Sequence, residues 1–163
     1  MNSLTEAQIR ASFINASKRE RTQALLPEDF AEIDWSAREF LGWRDRKLPQ
    51  VGYVVCELDA EIVGIMLRQA EARARTRPQC AWCEDVTLPN DVAFYVAKRA
   101  GAAGRNGDTI GIRVCEDFEC PVNVRRLPPI PYPGFDREAG RQQRITVLGE
   151  HVRAFVGEVL GCA

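Results

Sequence analysis

The chain has 163 residues, of which 45% are hydrophobic and 28% charged, with 22 Lys and Arg against 23 Asp and Glu. That is the make-up of one ordinary soluble globular domain, or one domain with a small appendage, long enough to build a core of its own. The formal charge of −1 excludes a global attraction to nucleic acid or to an anionic membrane, so such binding would need a local patch.

Helix signals come first. Thr5-Glu6-Ala7-Gln8 has the form of a capping box, and Ile9, Phe13 and Ala16 follow at i, i+4 and i+7. Lys18 to Arg21 reads as a solvated charged stretch, and Leu25 to Phe30 as a turn into a short helical piece. Asp34-Trp35 and Phe40 to Asp45 form an aromatic-rich, irregular stretch, with Trp35, Phe40 and Trp43 as core anchors beneath a loop.

Val51 to Leu58 and Ile62 to Leu67 are β-branched apolar runs joined at Asp59-Ala60-Glu61, which predicts a hairpin. Residues 68 to 77 are the most basic stretch, with Arg68, Arg73, Arg75 and Arg77 against Glu71 alone. Asp91 to Lys98 is a strand, Arg99 to Asp108 a flexible glycine-rich loop, and Ile110 to Val114 a return strand. Cys120 to Arg125 reads as a short helix with Pro121 in its first turn. Leu127 to Gly134 holds four prolines and predicts an extended linker. The last helix spans about Asp136 to Leu160, with Ile145, Leu148, Val152, Phe155, Val156 and Val159 on one apolar stripe that docks on the body or a partner. His151, the only histidine, lies off that stripe and is expected to be solvated.

Onto this scaffold the sequence places Cys80-x2-Cys83 and Cys115-x4-Cys120. Close pairs of this kind let turns aim thiolates at one ion, and four thiolates point to a closed structural zinc site. A dithiol redox pair would use Cys80 and Cys83 alone, and its flanks would read as a thioredoxin-type strand–helix unit. Disulfides would need an oxidising compartment. A catalytic zinc would need an open position; the deaminase signature is not met, since Pro78 is one residue too far from Cys80 and no His-x-Glu or Cys-x-Glu lies upstream. Cys56, in an apolar run, is expected in the core and Cys162 to be a free thiol. Met1 to Glu6 shows no signal-peptide pattern and no stretch approaches the ~18 apolar residues of a membrane span, so the expected location is cytoplasmic. With one histidine and no nucleophile–base pair, the expectation is a protein that is not an enzyme.

Knuckle, hairpin and ligand-bearing helix in that order make a treble clef. The sequence resembles the elongation-factor-G-binding proteins of the fusidic-acid-resistance type, in their C-terminal treble-clef (FBP) domain. The resemblance is carried by Leu4 to Phe13, Phe40 to Asp45, Cys80 to Cys83, Ala97 to Gly107 and Ile110 to Cys120. It spans roughly residues 3 to 160 and implies a single α+β domain of antiparallel strands and hairpins around the finger. Residues 1–70 would form the helical start and hairpin, 78–126 the finger, 127–135 the linker and 136–160 the long C-terminal helix. It further implies one structural zinc held by Cys80, Cys83, Cys115 and Cys120, with Cys115 standing where the resistance proteins use a histidine. The implied partner is translation elongation factor G, whose release from the ribosome such proteins promote. The chain resembles a short form without the additional N-terminal helical domain of the resistance proteins.

Lys98, Arg99, Arg105 and Arg113 are the candidate partner-binding residues, on a finger whose base the zinc would fix; arginine forks favour carboxylates or phosphates. The alternative function is a zinc-dependent module that binds RNA or the ribosome, with Arg68 to Arg77 and Lys98 to Arg113 along one basic face.

Overall fold

A computed structural model describes residues 1–70, 78–86 and 89–161. The basic residues Arg73, Arg75 and Arg77, with Glu71 and Cys162, lie outside the described residues.

The chain opens with two short capped helices. Thr5 accepts from the backbone of Gln8 and caps α1 (Glu6–Ser12) in the predicted capping box. Lys18 to Arg21, expected as a solvated stretch, has no buried residue and opens α2 (Lys18–Gln23) behind a second capping box made by Ser17 and Glu20. Six residues could not sustain a helix alone; the reciprocal cap satisfies orphan N–H groups at the point where nucleation is costly. A 3-10 turn at Phe30–Glu32 meets the expected helical piece.

Among the described residues, five strands form an antiparallel meander in the order β1-β2-β3-β4-β5: β1 (Phe40–Arg44), β2 (Val51–Leu58), β3 (Glu61–Gln69), β4 (Val92–Lys98) and β5 (Thr109–Cys115). The predicted hairpin is β2–β3, turned on Asp59 and Ala60, both at positive φ, as a two-residue primed turn requires. The stretch from Phe40, expected to be irregular, is a strand paired along β2 from Phe40↔Cys56 to Arg44↔Gly52.

Alternation divides the core in two. One face carries Phe40, Val54, Ile65, Leu67 and Tyr95 against α5 (Arg137–Leu160); the other carries Leu41, Trp43, Tyr53, Val55 and Met66 against Ile9, Phe13 and Ala24. Strands β2 and β3 are thus buried on both sides, which is why they read as unbroken apolar runs. Helix α5, capped by Asp136, docks through Leu148, Val152, Phe155, Val156 and Val159, all buried, as its stripe predicts. Between β3 and β4 direct pairing covers only Leu67↔Ala97 to Gln69↔Tyr95. Beyond it Asn15 takes the place of a backbone: its Nδ2 donates to Met66 O and Lys98 O (2.9 and 3.0 Å), and its Oδ1 accepts from Met66 N at 2.8 Å.

The glycine-rich segment does not form the expected flexible loop. It folds into a helical turn, α3 (Gly101–Arg105), tied by Ala100 N to Val159 O at 2.8 Å and by the Arg99 guanidinium to Glu158 O. Gly104 is buried in it, and a Cβ there would stand 1.8 Å from Arg99 O. Close approach, not mobility, is what this glycine serves. The Pro-rich segment runs without regular structure into α5, with Ile130 and Tyr132 exposed. No helix among the described residues is long and apolar enough to cross a membrane.

Candidate metal centre

Two turns aim the four sulfurs. In the first, Cys83 N donates to Cys80 Sγ at 3.5 Å and Glu84 N to Cys80 O at 3.0 Å. Ala81 N donates to Arg113 O at 2.8 Å, so this knuckle is stitched to β5. The second turn follows β5: Phe118 N donates to Cys115 O at 3.0 Å, with Phe118 in the left-handed region at φ 58°. A bulky residue there costs on the order of 1–3 kcal/mol. Burial of the side chain offsets this, since it fits against Gly42 and Gly52, where a Cβ would come within 2.6 Å of the Phe118 Cβ and ring Cζ respectively. Cys120 then begins α4 (Cys120–Arg125), with Pro121 in its first turn.

The result brings Cys80, Cys83, Cys115 and Cys120 together with every sulfur within 4.8 Å of the others. Cys80 and Cys120 are 3.6 Å apart, and Cys83 and Cys115 3.7 Å. A tetrahedron of thiolates at a zinc–sulfur distance of about 2.3 Å has edges of about 3.8 Å, so the donor set fits one zinc ion. All four are buried, the most open being Cys83 at 6% exposure. With four ligands and no access the site is closed, as structural zinc sites are.

As thiols the four compete for protons. Hydrogen bonds from Cys115, Cys120 and Cys83 hold Cys80 far below its usual value, and those from Cys115 and Cys120 lower Cys83. Cys115, although lowered by Cys120, is pushed up overall by Cys80 and Cys83; Cys120 is pushed up by Cys115 and Cys80. A divalent cation resolves that competition by ionising all of them.

Three side chains around the sulfurs had been given no role at the site by the sequence. Asn123, 1% exposed, donates from Nδ2 to Cys115 Sγ at 3.5 Å and reaches Cys83 Sγ at 4.0 Å. Its signal was available: three residues after a ligand that opens a helix, it shares that ligand's face. Trp82 fills the space under the first knuckle against Phe40 and Phe155, with ring centroids 5.2 and 6.0 Å away. His151, expected to be solvated, is half-buried, and its Nδ1–H donates to Trp82 O at 3.1 Å; a partner 69 residues away leaves no local pattern. Farther out, Arg125 forks onto Glu39 at 2.7 and 2.9 Å, and Arg144 meets Asp85 at 2.7 Å. Cys56 is fully buried in the core, as expected, with its thiol pushed up to about 12 by desolvation.

The four candidate partner-binding cations do not form one cluster. Lys98 ends β4 and is exposed; Arg105 is exposed on the α3 turn. Arg99 is half-buried with its guanidinium turned onto α5. Arg113 is exposed on β5 with its guanidinium carbon 5.6 Å from the Phe94 ring centroid.

Comparison with curated proteins finds no match. Among solved structures the chain is similar to one described as the structure of the fusidic acid resistance protein FusC, at 24% identity and a TM-score of 0.47. That alignment covers 62% of this chain and 46% of the other, so the chain matches less than half of that protein's length. The model of the FBP C-terminal treble-clef zinc-finger family matches residues 8–159, from α1 to the last turn of α5, and takes in all four cysteines. The chain belongs to the FBP C-terminal treble-clef zinc-finger family.

Proposed function

We infer that this chain is a zinc-stabilised binding protein without catalytic activity, that its partner is translation elongation factor G, and that the contact promotes release of the factor from the ribosome. The observation that carries the binding role is the closed metal centre. Four buried thiolates leave the ion no open position for water or substrate, so its work is to hold β5, α4 and the knuckle in register. The choice of partner rests on the family match from α1 through α5 and on the motif resemblance of the sequence.

Arg105 is exposed on the α3 turn, and among the described residues its side chain makes no hydrogen bond or ion pair. Arg99 is a poorer probe, because its guanidinium holds the end of α5. The test is calorimetric titration of the zinc-loaded protein into purified elongation factor G, followed by Arg105→Glu. Saturable one-to-one binding that weakens in the variant, with zinc retained, is the expected result. No heat and no co-elution would sink the reading.

A further inference from the structure

The sheet is covered unevenly. The face that buries Met66 under α1 continues through Arg68 of β3, Phe94, Val96 and Lys98 of β4, and Gly111 and Arg113 of β5. There the cover ends: Lys98, Gly111 and Arg113 are exposed, and Phe94 and Val96 are half-buried. No residue that alternates onto this face from β3, β4 or β5 is acidic. The acid that reaches it from α2 is Glu20, 3.3 Å from Arg68, whose side chain still keeps 53% of its exposure.

The Phe94 ring lies over Gly111, where a Cβ would stand 2.4 Å from its Cζ. The Arg113 guanidinium stands against the same ring. A ring over a glycine and a cation–π pair also stabilise the strand pairing itself, and here they leave the ring half open on a face that carries cations. Lys98 faces Thr109, and Arg113 lies four residues farther along β5, about 14 Å at 3.4 Å per residue. Arg113, paired directly across from Phe94, therefore stands beside the ring, and Lys98 lies farther along the same face.

We propose that this open face of β4 and β5 docks single-stranded RNA, with bases stacked on Phe94 and the Arg113 plane and phosphates met by Lys98 and Arg68. Aromatic and guanidinium planes on a sheet, flanked by cations, are what sequence-tolerant single-strand binding uses. The net charge of −1 does not oppose it, because phosphate attraction acts within a Debye length of the patch. An acidic peptide would satisfy the cations but would leave the ring without a role. The inference is independent of the elongation-factor reading.

The test uses the zinc-loaded full chain and a labelled mixed-sequence RNA of about a dozen nucleotides, single-stranded or annealed to its complement, followed by fluorescence anisotropy at low salt. The single strand binds in preference to the duplex. Phe94→Leu, which keeps an apolar side chain over Gly111, weakens binding roughly tenfold to a hundredfold. Lys98→Gln, which removes one of the phosphate contacts, lowers the magnitude of the slope of log affinity against log salt by about 0.7. No binding at low salt, equal binding of the duplex, or unchanged affinity of both variants overturns the proposal. If Phe94→Leu weakens binding to purified elongation factor G and leaves RNA binding unchanged, the face belongs to a protein partner and the RNA proposal fails while the factor reading stands. RNA binding with no heat from the factor gives the reverse.

Discussion

The two halves of the sheet are held by different means. Strands β1 to β3 lie between helices, their side chains packed on both faces, and are stabilised by removal of apolar surface from water. Strands β4 and β5 are packed on one face, and the end of β5 is gathered with the knuckle and α4 by four sulfurs. A half that leaves a face open for a partner gives up part of its core, and a metal site can stand in for the lost burial without covering that face.

That contrast can be broken most severely by removing the metal. Chelation, or Cys120→Ser, is expected to cost on the order of 10 kcal/mol of local stability. Hydrogen exchange should then speed up in residues 78–86 and 109–125, while the β2–β3 amides keep their protection. Equal loss of protection in both halves would show that one cooperative unit spans the sheet.

Next in size is Phe13→Ala on the helix side. The ring is 1% exposed and contacts Tyr53 and Trp43 at centroid distances of 5.4 and 6.4 Å; its loss should cost about 3–5 kcal/mol. Denaturant unfolding measures this, and zinc affinity of the folded variant should be unchanged. Asn15→Ala cuts the splice between the halves and leaves Met66 N without its partner, at a cost of about 2 kcal/mol. The exchange of the Met66 amide reports it directly. The smallest effect is expected from Asn123→Ala, which leaves the four ligands in place but removes the donor to Cys115. Zinc affinity should fall by tenfold or somewhat more, as read by competition with a chromophoric chelator.

Much of this was legible in the chain, for a physical reason in each case. Cysteine spacing specifies a ligand set because the turn between close ligands is local. The Asp59-Ala60 turn and the Thr5 cap are local too, and both stood where the pattern put them. What escaped reading depends on partners distant in sequence. Phe40 to Arg44 is a strand because β2 pairs with it and because Gly42 leaves room for Phe118; a glycine between aromatics looks irregular until that ring is in view. Gly104 reads as slack, yet it is the point where α3 presses on the Arg99 carbonyl. His151 escaped for the same reason, since the group it serves, Trp82 O, becomes a neighbour only once the chain has folded.

Helix α5 meets the zinc end of the molecule at His151 and the far end of the β4–β5 hairpin at Val159. Eight helical residues separate those anchor points, about 12 Å of rise, so the helix acts as a gauge for the length of the hairpin beside it. Deleting one residue between them would shorten that span by about 1.5 Å and turn the last anchor by about 100°, swinging Val159 O away from Ala100 N. Lengthening of the hairpin in a relative should therefore come with a matching insertion in the helix, a coupled change in two segments that are remote in sequence.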